Sequence, residues 1–310
     1  METIEIKDYK ELVFGENPQQ KAAISPIENS VDYELLSRNK ELGYIDFLNL
    51  SEALKVMGEF FDVNCAVITK EALICGASLG ATLDDAYENV IDSDPLSAIG
   101  ATAGFTKSVT IDIAEHLHQM KIKNVAAPDF DKEAFQYLLE TNINIIKINT
   151  PLHEIQGFNA QDIKVTQIGI LVQEKNMSKL SKENFVVVTD VKPNQEQVED
   201  AIFAWKLSKH LKSKAVVIAK DLCAVAIVQG KTNWAVAAEA AMDIACEASK
   251  DAVMAIDGVI DNPQTINAAI QGRIGLIIEA GFGQNSKEIV KVANKSFIPM
   301  LHTKIRNNRY

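Results

Sequence analysis

Two stretches of this chain end a strand-like apolar run on a lysine followed by a carboxylate: Cys65-Ala-Val-Ile-Thr-Lys70-Glu71 and Lys214-Ala-Val-Val-Ile-Ala-Lys220-Asp221. A lysine at a strand end can neutralise an oxyanion or a phosphate, or act as a nucleophile. The adjoining carboxylate can accept a proton, but a glutamate of ordinary pKa, about 4.3, is a weak base unless burial raises it. Strand ends are where α/β proteins present such groups. Cys75-Gly76, just beyond the first pair, predicts a small-residue turn.

Other stretches invite the same question. Phe14-Gly15-Glu16-Asn17-Pro18-Gln19-Gln20 forces a turn, whose amides either hold a ligand or merely connect two segments. Glu279-Ala-Gly281-Phe-Gly283-Gln-Asn-Ser286 follows a strand-like run and precedes a helical one, a place where free amides can bind an anion. His302, Lys304, Arg306 and Arg309 crowd the end of the chain, as a frayed solvated tail or as a phosphate clamp using arginine's planar fork. Asp92 and Asp94-Pro95 with Ser97 make an acidic turn that suits helix termination as well as catalysis. His116 and His118 lie two apart on a helical pattern and point to different sides, while His153 and His210 are isolated. No His or Cys spacing supports a metal centre, and none is expected. Walker, GxGxxG and GxSxG motifs are absent from the sequence.

The elements that must position these residues follow from length and pattern. At 310 residues and 47% hydrophobic, the chain can bury one large core or two medium ones. A net charge of -11 argues against binding nucleic acid or an anionic membrane surface. The start, Met-Glu-Thr-Ile-Glu-Ile-Lys-Asp, shows no signal-peptide pattern, and no apolar run is long enough to span a bilayer. Cys65, Cys75, Cys223 and Cys246 form no CxxC pair and suit free thiols in a reducing cytoplasm.

Strand-length runs at 65–69, 98–103, 124–127, 144–148, 167–172, 185–189, 215–219, 224–228, 252–256, 274–278 and 297–301 alternate with helical periodicity at 51–61, 82–91, 108–120, 131–141, 195–211, 234–249, 263–271 and 286–295. Ser51, Asp131 and Ser286 supply helix start signals. The alternation predicts an α/β layered fold with largely parallel pairing.

The second half echoes the first. Lys70-Glu71 answers Lys220-Asp221, Gly80-Ala-Thr82 answers Gly230-Lys-Thr232, Lys132-Glu133 answers Lys287-Glu288, and Ile148-Asn-Thr150 answers Leu301-His-Thr303. A repeat at an offset of roughly 150 residues predicts two equivalent domains, not a solenoid. The polar connecting stretch places the boundary so that residues 1–190 form the first with its linker and 191–310 the second.

Set together, these residues resemble a family. Val13-Phe14-Gly15-Glu16-Asn17-Pro18-Gln19-Gln20 is similar to the R-Y-G-x-N-P-H-Q signature of the aminoimidazole carboxamide ribonucleotide (AICAR) formyltransferase domain of the bifunctional purine-biosynthesis enzymes. Glu41-Leu-Gly-Tyr-Ile-Asp46-Phe-Leu-Asn49 resembles the segment that follows it, and Asp94-Pro-Leu-Ser97-Ala-Ile-Gly100 resembles D-P-x-S-A-F-G-G. Phe203-Ala-Trp205-Lys206, Lys209-His210 and Lys212-Ser213 resemble F-A-W-K…K-H…K-S-N, and Thr303-Lys-Ile-Arg306-Asn-Asn-Arg309-Tyr310 resembles T-G-x-R-H-F-R-H. The likeness is colinear from about residue 10 to the end, without the cyclohydrolase domain that usually precedes this unit.

The resemblance implies two cytidine-deaminase-like α/β/α subdomains, a homodimer, and formyl transfer from 10-formyltetrahydrofolate to the amine of a purine ribonucleotide precursor. The deaminases' HxE…PCxxC zinc signature is missing here, as it is in the formyltransferases. The implied catalytic pair is Lys70 and Glu71, the second standing where the family has histidine. Implied substrate-binding positions are Phe14, Gly15, Asn17, Asp46, Ser97, Lys214, Gly281, Gly283 and Arg306. The departures gather at the site: Val13 replaces an arginine, Gln19 a histidine, Lys214 an asparagine and Tyr310 a histidine. The aromatic F-F-P-F-R-D-G loop is replaced by Val259-Ile-Asp-Asn-Pro-Gln-Thr265. The loss at Val13 alone removes a charged phosphate contact of about 1.5–3 kcal/mol. Two expectations follow: a formyltransferase with a rearranged site, or a catalytically silent homologue that binds a nucleotide or a partner.

Overall fold

The computed structural model describes residues 9–27, 30–37, 41–158, 161–180 and 184–310. The opening residues 1–8, read above for a leader, and part of the linking stretch, 181–183, lie outside them. The first elements are β1 (Lys10–Leu12), β2 (Ala22–Ile24), β3 (Tyr33–Leu35), α1 (Tyr44–Glu59), β4 (Asn64–Lys70), β5 (Leu73–Gly80), α2 (Leu83–Ser93) and α3 (Pro95–Ala98). Then come β6 (Thr102–Phe105), α4 (Ile111–Gln119), β7 (Asn124–Ala127), α5 (Lys132–Leu139), β8 (Asn144–Ile148), β9 (Gln161–Thr166), β10 (Gly169–Glu174) and β11 (Val186–Val187). The last are α6 (Gln195–Ser208), β12 (Val216–Lys220), β13 (Cys223–Val228), α7 (Trp234–Ala245), β14 (Val253–Ile256), α8 (Gln264–Gln271), β15 (Leu276–Glu279), α9 (Ser286–Lys295) and β16 (Met300–His302).

The chain divides into two compact units, both mixed α/β: Met1–Ile74 with Ala81–Tyr87 and Pro95–Lys175, and Cys75–Gly80 with Glu88–Asp94 and Asn176–Tyr310. In the first, the strand order is β4-β6-β7-β8-β3. β4 runs antiparallel to β6, and β6, β7 and β8 run parallel. In the second, the order is β11-β16-β15-β14-β12-β13-β5. There β12 runs antiparallel to β14, and β14, β15 and β16 run parallel. The parallel strands are nearly continuous apolar runs, as strands covered on both faces must be; β7 and β14 are buried at every residue.

In the second unit, Val216, Ile218, Met254, Ile256, Ile277 and Met300 form one core with the alanines of α7 and with Ile266 and Ile289 of α8 and α9. Alanine lets α7 lie close to the sheet at no cost in helix propensity. The alternate strand residues Val217, Ala255 and Ile278 are also fully buried, and α6 packs on β12, β14 and β15.

Several expected boundaries shift. The predicted small-residue turn at Cys75-Gly76 is instead the interior of β5. The reversal occurs earlier, at Glu71 and Ala72, both with positive φ (51° and 58°). That is the backbone a two-residue hairpin needs, and nothing in Glu-Ala advertises it. The helix expected from Ser51 starts at Tyr44, because Asp46 accepts the Gly43 amide at 2.9 Å and supplies the start signal a turn and a half earlier. The expected strand 98–103 is α3 followed by β6, and 167–172 is one arm of the β9–β10 hairpin.

Burial also sorts the thiols. Cys223 is buried, and desolvation pushes its thiol up to about 11, while Cys246 is exposed. At pH 8 only about one Cys223 in a thousand would be thiolate. A disulfide reagent at that pH is therefore expected to label Cys246 rapidly and Cys223 only on unfolding, which is read by peptide mapping after timed quenching.

Candidate functional site

Lys70 closes β4, and its Nζ donates to the carbonyl of Ile99 at 2.8 Å, two residues beyond Ser97 of α3. The turn that follows is held from α1: Asn49 Oδ1 accepts the Ala72 amide at 2.8 Å. The second unit repeats this construction. Lys220 Nζ donates to the Lys250 carbonyl at 2.9 Å. Asp221 and Leu222 take the positive-φ turn, and Asp200 of α6 accepts both of their amides at 3.1 and 2.7 Å. Desolvation raises the Asp200 carboxyl despite those two amide bonds. Because β4 and β12 run against their neighbours, both Lys-acid turns lie at the amino ends of the parallel strands, whereas open α/β sheets bind ligands at the carboxyl ends.

Of the other sites expected in the first unit, Gly15, Asn17 and Asp46 are structurally engaged. Gly15 is buried and donates its amide to Gln20 O at 2.8 Å, closing the β1–β2 turn. Asn17 donates its side-chain amide to Gln20 Oε1 at 2.7 Å, and Phe14 is exposed. Asp46, 3% exposed, accepts from Gly43 N, Lys123 Nζ and Asn124 Nδ2, each within 2.9 Å.

The carboxyl ends of β14, β15 and β16 gather a different set. Asp257 follows β14 and is fully buried: its Oδ1 accepts Trp234 Nε1 at 2.6 Å, and its Oδ2 accepts the Ser213 hydroxyl. Lys214 Nζ sits 3.9 Å from the Trp234 ring centroid, a cation–π contact. Glu279 ends β15 and meets His302 of β16 at 3.1 Å, while its second oxygen accepts the Ile260 amide at 2.6 Å. Gly281, at φ +77°, lies so close under His302 that a β-carbon would stand 2.6 Å from the imidazole. Gly283 is pressed against Val259, 2.5 Å from where its β-carbon would be. Only glycine fits the first position, for both backbone and space.

The C-terminal tail is not frayed. Asn307 is 2% exposed, its amide reaches Asp257 O at 2.8 Å, and its side chain reaches Trp205 O at 2.9 Å. Arg309 N donates to Ser213 Oγ at 2.9 Å. The tail thus lies across the carboxyl edge and leaves the Arg306 side chain exposed there.

Lys214, Gly281, Gly283 and Arg306 are therefore brought to one edge, together with Lys212, Lys231, Lys304 and Arg309 against Asp257, Asp261 and Glu279. In a chain of net charge -11 this is a local excess of cations, suited to an anionic group. Asp257, Ser213 and Trp234 complete the edge and were not picked out as site residues from the sequence. An aspartate at the end of a fully apolar strand was the available signal. A cleft of about 460 Å³ lined by Lys192, Asp251, Arg273 and Phe297 lies at the opposite, amino ends of these strands; Arg273 there is paired with Glu247 at 2.7 Å, and none of the expected residues lines it. Among the described residues no His, Cys, Asp and Glu group could hold a metal ion.

The family model described as "AICARFT/IMPCHase bienzyme" matches residues 1–244. The bifunctional purine biosynthesis protein PurH of Caldicellulosiruptor saccharolyticus is 35% identical, the match covering 99% of this chain and 60% of that protein. The PurH of Thermoanaerobacter sp. is 34% identical over 97% of this chain and 59% of its own. That of Dictyostelium discoideum is 33% identical over 96% and 56%. The chain thus spans about 60% of the length of the curated relatives it matches.

Proposed function

The chain belongs to the AICARFT/IMPCHase bienzyme family, and from that premise we propose that it is an AICAR formyltransferase-family protein of purine biosynthesis whose carboxyl-edge site takes a purine ribonucleotide. The observation that carries this reading is the cluster of Lys214, Arg306 and the Gly281–Ser286 loop at the ends of β14, β15 and β16. Lysine, the arginine fork and loop amides are the groups that bind a phosphate monoester. The reaction is formyl transfer from 10-formyltetrahydrofolate to the amine of AICAR, without a metal, by a cytoplasmic homodimer. Its active site is shared across the homodimer, where Lys70 stabilises developing charge and Glu71 accepts the proton on the nucleotide held by the other subunit's carboxyl edge. The like order of hairpin, helices and parallel strands in the two units supports a duplicated cytidine-deaminase-like fold, its second copy starting near residue 191.

One observation favours a second reading, a catalytically silent nucleotide-binding homologue. The contact of Lys70 with a backbone carbonyl is reproduced by Lys220, which has no proposed chemistry. The two readings separate in one experiment. Tetrahydrofolate release is followed with 10-formyltetrahydrofolate and AICAR for the wild type, Lys70→Met and Lys220→Met. Both substitutions are expected to cost similar stability, about 0.5–1 kcal/mol by urea unfolding, because each removes one half-exposed charged hydrogen bond. Turnover abolished only in Lys70→Met establishes the enzyme. No turnover in the wild type, with AICAR still raising the melting temperature, establishes the silent homologue. Neither turnover nor any thermal shift overturns both.

A further inference from the structure

The cleft at the amino ends of β14, β15 and β16 has no part in the proposed reaction, and the first unit shows what can close such a place. Matching backbone bonds align the two. Gly100 N donates to Lys121 O at 3.0 Å as Asp251 N does to Arg273 O at 2.9 Å, and Lys123 N reaches Ala101 O at 2.9 Å as Gly275 N reaches Ala252 O at 2.8 Å. In the first unit the Lys123 ammonium pairs with Asp46, the third residue of α1, at 2.7 Å. In the second, the third residue of α6 is the neutral Gln197 and Gly275 stands in place of Lys123, so that ion pair is gone. The Gln197 amide is spent on Gly275 O at 3.1 Å and Asn194 N at 3.0 Å. A β-carbon on Gly275 would stand 2.6 Å from Gln197 Nε2 and 2.8 Å from Asp251 O. No side chain at this position can therefore fill the cleft, whose volume of about 460 Å³ is in the range of small-ligand sites.

The lining defines the ligand. Asp251 replaces the Gly100 of the first unit on the same left-handed backbone, φ 61° against 75°. Its carboxylate and the Lys192 ammonium, both on the cleft, have no partner among the described residues. Arg273 gives one nitrogen to Glu247 and keeps its other donors. Phe297 also has a left-handed backbone, φ 58°, and its ring is 77% exposed. Glycine is the usual residue there, just after a helix, so this ring is held against both backbone strain and the hydrophobic effect. A carboxylate only accepts, and its two oxygens suit two parallel N–H groups. An exposed aromatic face stacks on a planar ring, and lysine with the arginine fork holds an anion. We infer that this cleft binds a planar heterocycle whose edge carries a ring N–H beside an amino group and which bears an anionic tail, the pattern of a guanine nucleotide or a pterin. Asp251 accepts the two N–H groups, Phe297 stacks on the ring, and Lys192 and Arg273 hold the tail. The site lies at the opposite strand ends from the carboxyl edge and is independent of the reading given to that edge.

Calorimetric titration of the full chain with guanosine monophosphate (GMP), pterin-6-carboxylate and adenosine monophosphate (AMP) tests this. AMP offers one amino group beside an acceptor nitrogen and is expected to bind about tenfold or more weakly than GMP. Asp251→Asn keeps a residue that tolerates the left-handed backbone but sets an amide N–H₂ against the guanine amino group. It is expected to weaken GMP by about tenfold and to bind AMP at least as tightly as GMP, a reversal that damaged folding cannot produce. Phe297→Gly relieves the backbone and is expected to keep the melting temperature while weakening GMP by about tenfold, the worth of one stacked ring. Arg306→Ala, on the carboxyl edge, is expected to leave the GMP titration unchanged. Whichever of GMP and pterin-6-carboxylate binds more tightly through Asp251 identifies the source of the ring. No binding of either at millimolar concentration, affinities indifferent to Asp251→Asn, or GMP binding lost in Arg306→Ala overturns the inference, and the first two outcomes leave the carboxyl-edge reading standing.

Discussion

Trp205→Ala is expected to lose about 3–5 kcal/mol of unfolding free energy, the usual cost of truncating a fully buried tryptophan. A domain's whole stability is about 5–15 kcal/mol, so this variant should be partly unfolded in modest urea. Trp205 is 2% exposed and lies near the end of α6, the helix that packs on β12, β14 and β15. The consequence extends past packing. α6 carries Asp200, which holds the Asp221-Leu222 turn. Its last turn also supplies the Trp205 carbonyl and Ser208 hydroxyl that bind Asn307 of the tail. A loosened α6 therefore releases both edges of the sheet it covers. Urea titration followed by far-ultraviolet circular dichroism reads the effect as a lower midpoint at unchanged slope. Trp205→Phe, which keeps most of the volume, should lose no more than about half as much. Equal losses in the two variants would show that the site does not depend on ring volume.

The parts of the fold legible in the sequence were those with a strong physical period. The fully buried runs of β7, β14 and β15 and the amphipathic stretches of α4, α5 and α9 needed only the spacing of apolar residues. The α/β class followed from their alternation. Boundaries set by single tertiary contacts were not legible. The hairpin at Glu71-Ala72 depends on Asn49, more than twenty positions away, accepting an amide. The start of α1 depends on Asp46, a residue whose resemblance-based role was substrate binding and whose carboxylate meets Lys123 and Asn124 across the fold. Of the expected positions, Gly281, Gly283 and Arg306 stood out by type and place in the chain and Lys214 only through the family resemblance, and the fold brings these four to one edge. Asp257 was missed because a lone aspartate after a strand has no local pattern; its meaning comes from Trp234 and Ser213, which only the fold brings to it. Lys70 was legible as a strand-end lysine, but not which end of the sheet it would reach, since that depends on β4 running antiparallel to β6.

Asp257→Ala is the substitution expected to damage the carboxyl edge most. The carboxylate is fully buried and accepts from the Trp234 indole and the Ser213 hydroxyl. Alanine leaves both donors unpaired, at about 1–3 kcal/mol for each buried group, so a loss of about 2–6 kcal/mol is expected. The indole would also lose what orients it under Lys214, and with it a cation–π contact of about 0.5–1 kcal/mol. Gly258 shows how tightly the ring is set, since a β-carbon there would stand 2.4 Å from it. Asp257→Asn keeps one acceptor oxygen and should recover about half of the loss. Combining it with Trp234→Phe should cost less than the two single losses together, because the pair shares one hydrogen bond. Fluorescence supplies an independent reading. The chain has two tryptophans, and Trp205 is buried on the inner face of α6, so a red shift in Asp257→Ala under native conditions reports Trp234 leaving its site. Emission unchanged from the wild type, with full stability, would mean that the indole is held by packing alone and that Asp257 does not organise this edge.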